Sequence, residues 1–548
     1  MSGPARLRLR GGTVYDPANG VDGETRDICI EDGRIVPALP DGVPVCDVQG
    51  MVVMPGGVDI HAHIASASCN HARRLLPEEH AADRSPAPRL ADGRIGRSGS
   101  GGTLPSTFTT GYRYACLGYT TVFDAAVAPL LARHTHHEMD DTPCIDAGFF
   151  ALLGNDDYLL QLVNRGERDR ARDYVGWLLG RVGAWAVKIV NPGGIAAWKT
   201  PQRNLKAIDE PLGNTKITAR GILETLADAA NDLALPHGVH IHCNNLGLPG
   251  NSKTTLETMA ALSGRRAHFT HLQFHAYGGD GSAWSSAARE LSAAVNANRL
   301  HSVDVGQVMF GPATTVTADG PIEYLLHKSS GRRWVNLDIE LETGCGIVPL
   351  EYKEKAAVSA LQWAIGLELF LLSDDPWRVV MSTDHPNGGT FASYPALIEL
   401  LMDRNARDEQ LKCVNQKLLA GSALLDGLTR EFTLNEIAII TRAGPARLLG
   451  LPHKGHLGPG ADADITVYRR SPRIAEMFAT PRYVFRRGEL IAEEGQLRRA
   501  PHGERLWVRP GFDPAVLAGL QRHFQQAATV RFDNYGAGEL PNGPREVA

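Results

Sequence analysis

Short apolar runs alternate with longer stretches of mixed polarity through most of the chain. The runs are rich in β-branched and aromatic residues and predict β-strands, whereas the longer stretches have the length and spacing of helices. Strands and helices that alternate in this way form parallel sheets. Eight predicted strands lie in the run 52–63 and at 120–124, 147–152, 186–190, 239–242, 267–271, 303–305 and 379–384. This number predicts an α/β fold, a (β/α)8 barrel, over residues 54–440.

Further β-structure is predicted on both sides of the barrel. Residues 1–53 and 441–509 each alternate short strand-like runs with turns, and Glu31-Asp32-Gly33 is typical of a hairpin. We expect the two segments to pair into one small β-sandwich.

Two other segments interrupt or follow this pattern. Residues 65–110, rich in Arg, Pro, Gly and Ser, form an insertion directly after the first predicted barrel strand. The insertion is either a substrate lid or disordered, and its position favours the lid. Residues 510–548 show little periodicity, which predicts a C-terminal tail that packs on a partner or is mobile.

The composition is that of an ordinary globular protein, with 43% hydrophobic and 21% charged residues among 548. A formal net charge of -5 argues against a nucleic-acid partner. No apolar run reaches the ~18 residues that span a bilayer, and no signal sequence is recognisable, so we expect no membrane contact and a cytoplasmic location. The eight cysteines include no Cys-X-X-Cys pair, which argues against an iron–sulfur cluster on this chain.

Two histidines, His61 and His63, end the run 52–63 and are separated by one residue. Positions i and i+2 of a strand point to the same side, so both rings can reach one metal ion. A chance or surface pair explains the spacing equally well on its own. Four further candidate donors fall at or near the ends of other predicted strands: Lys188, His242, His271 and Asp384. Because the carboxyl ends of barrel strands carry the chemistry of this fold, the coincidence predicts a metal centre.

The lysine among these candidates lies inside an apolar run. A charged ammonium at Lys188 is costly there unless it is paired or modified. It is either an ion-paired lysine at a strand end, or a lysine carbamylated by carbon dioxide whose new carboxylate bridges two metal ions. The turn at 191–194, which follows directly, favours the second interpretation.

The other candidates also have alternatives. His242 shares a strand face with His240, and we favour His242 as the ligand because it lies nearer the strand end; His240 is then a supporting group or an alternative ligand. His271, with two other histidines nearby, is a ligand or a core histidine. Asp384 caps a turn, or it binds one ion weakly and moves the proton of an attacking water.

Taken together, these donors resemble the metal-binding signature of the amidohydrolase superfamily, and the resemblance spans residues 7–500. More narrowly, the chain is similar to the family of the A-type subunit of formylmethanofuran dehydrogenase in the segments 54–61, 188–194, 242–247, 270–274 and 382–387. The Asn-Pro-Gly-Gly and Cys-Asn-Asn-Leu-Gly sequences carry the narrower match. In methylotrophic bacteria the corresponding protein belongs to a formyltransferase/hydrolase complex, and in methanogens to a tungsten or molybdenum dehydrogenase.

The resemblance implies zinc-dependent hydrolysis of N-formylmethanofuran to formate and methanofuran within a multi-subunit complex. It implies two Zn2+ ions, the first on His61 and His63 and the second on His242 and His271, with carbamylated Lys188 as a bridge. By the same resemblance Asp384 is a metal ligand and the proton-transfer group. Two substrate-binding residues are also implied, Asn244 and Asn245.

Several alternatives to this function remain open. A preference for Arg over Lys, with abundant Ala, Gly and Pro, favours the bacterial complex over the dehydrogenase. Two rival functions are a cyclic-amide hydrolase, which would use the same metal ligands, and a non-catalytic scaffold subunit that holds a complex together. Four arginines of the insertion are candidates for binding an acidic carrier, with a solvated loop as an equal alternative: Arg73, Arg74, Arg94 and Arg97.

Overall fold

A parallel barrel forms the centre of the molecule. The computed structural model describes residues 6–280, 283–336, 346–421, 423–538 and 545–546. The barrel strands are Gly57–Ala62, Tyr119–Val127, Asp146–Leu152, Ala186–Val190, Val239–His242, Ala267–Phe269, His301–Asp304 and Val379–Val380. Each pairs in parallel with the next, and a bridge between Ala62 and His385 joins the first strand to the segment after the eighth. The predicted α/β barrel is confirmed.

Helices pack around the barrel through apolar faces. In Ala219–Asp232, for example, Ile222, Leu226 and Ala230 are buried at a spacing of four residues. The α-helices are Ala67–Leu75, Pro77–Ala82, Thr107–Cys116, Ala132–Asp140, Asp157–Arg165, Arg168–Val182, Gly194–Trp198, Ala219–Asp232, Ser252–Ala261, Ala288–Ala297, Gly320–Ser330, Ala357–Leu371, Tyr394–Met402, Arg404–Cys413, Leu434–Ala438, Gly444–Leu449, Ile474–Ala479 and Val516–Ala527. Within the described residues, none of these helices combines the length and apolarity needed to cross a membrane.

The predicted opening strand 52–63 is in fact two strands in two different sheets. Val52–Pro55 pairs with the flanking β-structure, and Gly57–Ala62 begins the barrel. The chain changes sheets at Gly56, where a side chain would collide with Thr120, since an added Cβ would lie 2.4 Å from its hydroxyl oxygen. The apolar run hides this change because both strands are fully buried.

Strands from both chain ends form one nine-stranded sheet beside the barrel. The first segment supplies Arg6–Asp16, Val21–Glu31, Arg34–Val36, Val45–Asp47 and Val52–Pro55, and the second supplies Ile465–Tyr468, Tyr483–Arg486, Glu489–Glu493 and Gln496–Leu497. The segments join where Ile465–Tyr468 runs antiparallel to Val52–Pro55. The turn at Asp32 and Gly33 has positive φ at both residues, as the predicted hairpin requires. The two chain ends pair as expected, and their described strands form one sheet; the packing of two sheets that a sandwich requires stays a prediction.

A buried cluster of charges connects this sheet to the amino end of the barrel. Nζ of Lys454 lies 2.5 Å from Asp146, at the start of the third barrel strand, and 2.6 Å from Asp464, beside the sheet strand Ile465–Tyr468. Arg486 pairs with the same Asp146. These side chains are at most 5% exposed. The cluster therefore holds the two units together.

The chain returns to the barrel after the nine-stranded sheet. Arg505–Trp507 pairs in parallel with the third barrel strand at Ala147 and Gly148, and Val508 donates to the carbonyl of Ala184, just before the fourth strand. Arg545–Glu546 pairs with the outer side of Arg505–Trp507. A late segment is thus inserted between the amino ends of two barrel strands.

The C-terminal tail packs on its own chain as far as the structure describes it. Helix Val516–Ala527 buries Val516, Leu520 and Phe524, which repeat every four residues. Trp177 of the barrel helix Arg168–Val182 stacks on Phe532 at a ring separation of 5.6 Å. Residues 510–538 are therefore packed against the barrel helices, and contact of the tail with a partner stays a prediction. Residues 539–544 and 547–548 lie outside the described part.

The insertion 65–110 is ordered and contains helices Ala67–Leu75 and Pro77–Ala82 and the strand pair Arg84–Ser85 with Gly99–Ser100. It packs against a second excursion, between barrel strands seven and eight. That excursion contains helix Gly320–Ser330 and the three-stranded sheet Gly311–Thr317, Val335–Asn336 and Gly346–Tyr352. A further short pair, Tyr277–Gly278 with Ser285–Ser286, lies after the sixth barrel strand.

Candidate metal centre

The two histidines of the first barrel strand meet the aspartate that follows the eighth. Nε2 of His61 lies 3.0 Å from Oδ1 of Asp384, and Nε2 of His63 lies 3.3 Å from the same oxygen. All three side chains are buried. Asp384 is held in a left-handed conformation (φ 51°), and its backbone N–H donates to Oγ of Ser382 at 2.7 Å. The predicted His-X-His pair and Asp384 are therefore in contact at the carboxyl end of the barrel.

A carboxylate on the seventh strand supports this group from below. Oδ2 of Asp304 lies 3.0 Å from Nδ1 of His61 and 3.1 Å from Nε2 of His268, and its Oδ1 accepts the backbone N–H of His271 at 2.9 Å. His240, whose Nε2 lies 3.1 Å from Nδ1 of His61, belongs to the same buried layer. Asp304 thereby leaves Nε2 of His61 for the group around Asp384. His240 lies beneath the site and is not among the residues that line the cavity above it.

Lys188 points into the barrel between these groups. It pairs in register with His240 of the neighbouring strand, and its Nζ donates to Oγ1 of Thr270 at 3.2 Å. Burial lowers the pKa of Lys188 to about 8, although Asp304 and Asp384 oppose that effect. A much larger fraction of this amine than of an ordinary lysine is therefore neutral near neutral pH, as reaction with carbon dioxide requires.

His242 is held by a chain of polar side chains that crosses three loops. Its Nε2 lies 3.1 Å from Oδ2 of Asp319, and Nδ2 of Asn191 donates to the other oxygen of Asp319 at 3.0 Å. Nδ2 of Asn244 donates in turn to Oδ1 of Asn191 at 2.8 Å. Asn245, in a left-handed conformation, turns its amide towards Thr254. Neither Asn244 nor Asn245 is among the residues that line the cavity, and contact of either side chain with substrate stays a prediction.

His271 follows the sixth strand in a left-handed turn (φ 35°). Gly306 makes room for this turn, since a Cβ there would lie 2.3 Å from the Cβ of His271. The ring of His271 lies edge-on to that of His242, with 4.8 Å between the ring centroids. The centroid of the His61 ring is 5.3 Å away from that of His271. His271 thus lies between the two predicted halves of the centre.

Electrostatics keep the Asp384 carboxylate and the imidazoles of His242 and His271 in the forms that bind metals, whereas His61 holds a proton that a metal ion has to displace. Burial alone would raise the pKa of Asp384, but the neighbouring imidazole of His61 outweighs it and holds that pKa well below the ordinary value. Burial lowers the pKa of His61, yet Asp304 and Asp384 more than compensate and raise it to about 9. Burial lowers the pKa of both His242 and His271. The carboxylate is ionised and the second pair of imidazoles is neutral.

The donor set fits metal ions. Donor atoms of His61, His271 and Asp384 lie within 4.8 Å of one another, as do those of His242, His271 and His275. Several buried ring nitrogens, including Nδ1 of His63 and Nδ1 of His271, have no hydrogen-bond partner among the described residues. Unpaired buried donors of this kind are costly unless an ion or water binds them.

A cavity of about 620 Å³ lies directly above these donors. His61, His63, Lys188, His242, His271 and Asp384 contribute to its floor. Its walls are mainly apolar and come largely from the loops after strands five and six and from the excursion 305–378: Leu246, Leu248, Phe274, Trp284, Ile322, Leu325, Leu326 and Leu350. Among the described residues, no cavity wall comes from the insertion 65–110, which instead supports the excursion from outside.

Arg73 of the insertion is a structural residue. It is 7% exposed and donates to the carbonyls of Ile64 and Pro105. Arg74, Arg94 and Arg97 are exposed, and Arg97 lies over the ring of Phe108. None of the four lines the cavity.

The sequence did not predict a functional role for four residues of the site: Asp304, Asp319, Glu323 and His275. Asp304 could have been found, because it is an acidic residue inside an apolar predicted strand, the same signal that identified Lys188. Asp319 precedes a helix and resembles an ordinary helix cap. Glu323 is a buried cavity residue bonded to Thr315, and burial raises its pKa well above the ordinary value.

A model of the amidohydrolase family matches residues 44–492, and the chain belongs to this family. It is 42% identical over 552 residues to Protein FwdA of Methanocaldococcus jannaschii, which covers 96% of each protein. It is 38% identical over 546 residues to the A-type subunit of the formyltransferase/hydrolase complex Fhc of Methylorubrum extorquens, covering 97% of this chain and 95% of the relative.

A solved structure gives the same relationship in three dimensions. A chain in the crystal structure of the formyltransferase/hydrolase complex FhcABCD from Methylorubrum extorquens, in complex with methylofuran, matches with a TM-score of 0.90 and 37% identity. The match covers 97% of this chain and 96% of that one. The resemblance to the amidohydrolases, and within them to the A-type subunits of formylmethanofuran dehydrogenase and of the Fhc complex, is confirmed.

Proposed function

We propose that this chain hydrolyses N-formylmethanofuran to formate and methanofuran at a binuclear zinc centre, as the hydrolytic subunit of a formyltransferase/hydrolase complex. The observation that carries the proposal is the convergence of all the predicted metal donors on the floor of one cavity. The Methylorubrum extorquens relative belongs to such a complex, and its solved structure contains methylofuran.

In this proposal, Nε2 of His61 and of His63 would hold the first ion together with Asp384. His242, whose Nε2 contacts Asp319, would offer Nδ1 to the second ion beside His271. Lys188, carbamylated through its neutral amine, would supply a carboxylate to both ions. Zinc held by these residues would lower the pKa of bound water towards neutrality and polarise a carbonyl oxygen.

Asp384 moves the proton. Its carboxylate lies at the cavity floor, where it can accept a proton from the attacking water and deliver that proton to the leaving nitrogen. Water then supplies the oxygen of formate, and the carrier amine leaves with the proton. The apolar cavity walls hold the furan-bearing arm of the carrier and limit the access of bulk water.

Two settings are open for this chain. The composition favours the first, a bacterial formyltransferase/hydrolase complex. The 42% identity to FwdA favours the second, a tungsten or molybdenum formylmethanofuran dehydrogenase. The reaction on this chain is the same in both. Purification from the native source with identification of the co-purifying chains separates them, because only the first setting brings a formyltransferase and only the second brings a chain that holds tungsten or molybdenum.

The test of the reaction is formate release from N-formylmethanofuran by the zinc-loaded protein. We expect Asp384→Asn to keep zinc and to lose at least about a hundredfold in rate, the usual scale for a proton-transfer group. The matched control is Asp374→Asn, an exposed aspartate before the eighth strand, at the opposite end of the barrel. Near-normal formate release by Asp384→Asn refutes the assignment.

Two rival functions give different results in the same assays. A cyclic-amide hydrolase turns over hydantoin or dihydroorotate faster than the formamide. A non-catalytic scaffold contains no zinc after purification and releases no formate. We expect two zinc ions per chain and turnover of the formamide alone.

A further inference from the structure

One histidine beside the centre has no role in the proposed reaction. His275 is 1% exposed, and neither Nδ1 nor Nε2 of its ring has a hydrogen-bond partner among the described residues. An imidazole that is buried with both nitrogens unpaired loses its hydration without compensation. A group that binds this ring is therefore expected in the working protein.

The backbone directs this ring to the second half of the centre. The left-handed turn at His271 starts the 3-10 helix Leu272–His275, which brings His275 alongside His271. The two rings stack with a centroid separation of 5.3 Å and an angle of 26°. The ring of His242 lies edge-on to that of His275, also at 5.3 Å. Oγ1 of Thr255 donates to the carbonyl of His275 at 3.3 Å and helps to fix the turn.

Donor atoms of His242, His271 and His275 lie within 4.8 Å of one another, a separation that one metal ion can span. The other histidines behind the centre already have partners: His240 contacts His237 and His61, and His268 contacts Ser302 and Asp304.

His385 also leaves both ring nitrogens unpaired, but its ring packs edge-on against Phe391 at 4.8 Å. It belongs to no group of potential metal donors within the described residues. Of these buried histidines, His275 is the one that combines two unpaired ring nitrogens with a position beside two other potential donors.

We propose that His275 is a third imidazole ligand of the ion that His242 and His271 bind. The inference rests on the proposed binuclear centre and adds one ligand to it. Three neutral imidazoles hold zinc firmly, so the second ion stays in place while the carrier enters and leaves. The first ion, with His61, His63 and Asp384, keeps the carboxylate that moves the proton.

The first experiment uses the unmodified protein. In crystals of the zinc-loaded wild type, with the ions located by anomalous scattering, we expect a nitrogen of His275 about 2.0–2.1 Å from the second ion. If the crystals contain two ions but no nitrogen of His275 lies within bonding distance of either, this inference is overturned and the proposed function stands. The absence of a second ion overturns both.

The second experiment measures affinity. In zinc competition against a chelator, we expect His275→Ala to bind the second ion at least about a hundredfold more weakly, since loss of an outer-shell partner alone costs about 10–100-fold. The first ion should be unaffected. After cobalt substitution, the visible spectrum of His275→Ala should lose the contribution of the second site.

The matched control is His301→Ala, a buried histidine at the amino end of the seventh strand, which should bind both ions as the wild type does. Two ions bound with unchanged affinity by His275→Ala refute the proposal.

Discussion

Oδ2 of Asp304 lies 3.0 Å from Nδ1 of His61, two strands away around the barrel. The same side chain accepts the backbone N–H of His271. One carboxylate therefore orients a proposed ligand of the first ion and the backbone that carries a ligand of the second.

Replacement of this carboxylate should weaken metal binding without unfolding the chain. We expect Asp304→Asn to bind the first zinc ion about 10–100-fold more weakly, because an amide keeps the shape of the group but loses the charge that orients His61. Zinc competition with a chelator measures this, and circular dichroism checks the fold. Asp426→Asn, an exposed aspartate, is the control. An unchanged zinc affinity would show that Asp304 has no part in holding His61.

A different carboxylate should act on the other ion. In Asp319→Asn, the contact with Nε2 of His242 and the link to Asn191 change together. We expect the second ion to bind about tenfold more weakly or worse, and the first ion to be unaffected. Competition titrations that resolve the two ions measure the affinity of each ion in Asp319→Asn, and the same titrations on Asp304→Asn give the values for comparison. Equal weakening of both ions in Asp319→Asn contradicts the separate assignment.

The buried lysine should control metal content and activity together. In Lys188→Ala, we expect zinc content and formate release to fall in parallel, since the bridge between the ions is lost. Acetate in the assay should restore part of the rate, because a free carboxylate can occupy the vacated space. Lys253→Ala, an exposed lysine on helix Ser252–Ala261, serves as the control. Full retention of two zinc ions by Lys188→Ala excludes the bridge.

The charge cluster at the amino end of the barrel should determine stability. In Lys454→Met, Asp146 and Asp464 lose a buried cation, and we expect the free energy of unfolding to fall by about 3–5 kcal/mol at pH 7. Denaturant unfolding measures this. Lys412→Met, which breaks an exposed pair with Glu409, should change little.

The same cluster predicts a pH dependence. Burial alone would raise the pKa of Asp146, but Arg486 and Lys454 outweigh it and hold that pKa well below its ordinary value. A carboxyl with a depressed folded pKa stabilises the fold above its unfolded pKa of about 4, and this stabilisation is lost as the pH falls further. We expect the unfolding free energy of the wild type to decline below about pH 4. A wild-type protein that becomes more stable below pH 4 contradicts this assignment.

The barrel and most of the candidate metal donors could be predicted from the sequence because both depend on local signals. Alternating apolar runs mark the strands, and a polar residue such as Lys188 or His242 at the end of an apolar run is costly without a function. The sheet change at Gly56 could not be predicted, since two fully buried strands in succession look like one. Asp319 and Glu323 lie in the excursion 305–378, and only its folding brings them to the centre.

The resemblance to a known family supplies the proposed substrate and the proposed roles of the donors. Asn244 lies in a characteristic sequence, and its amide, through Asn191 and Asp319, holds His242. Contact of Asn244 with the substrate stays a prediction. A motif identifies residues that a family needs without showing which of them the substrate touches.

The segment Arg505–Trp507 pairs with the third barrel strand, more than 350 positions earlier in the chain. Contacts between such distant residues form late, because a long loop must close first. During synthesis, the amino end of the barrel therefore stays open at this place until residue 507 has left the ribosome. A nascent chain that is shorter than this leaves the edge of its third strand exposed at that place.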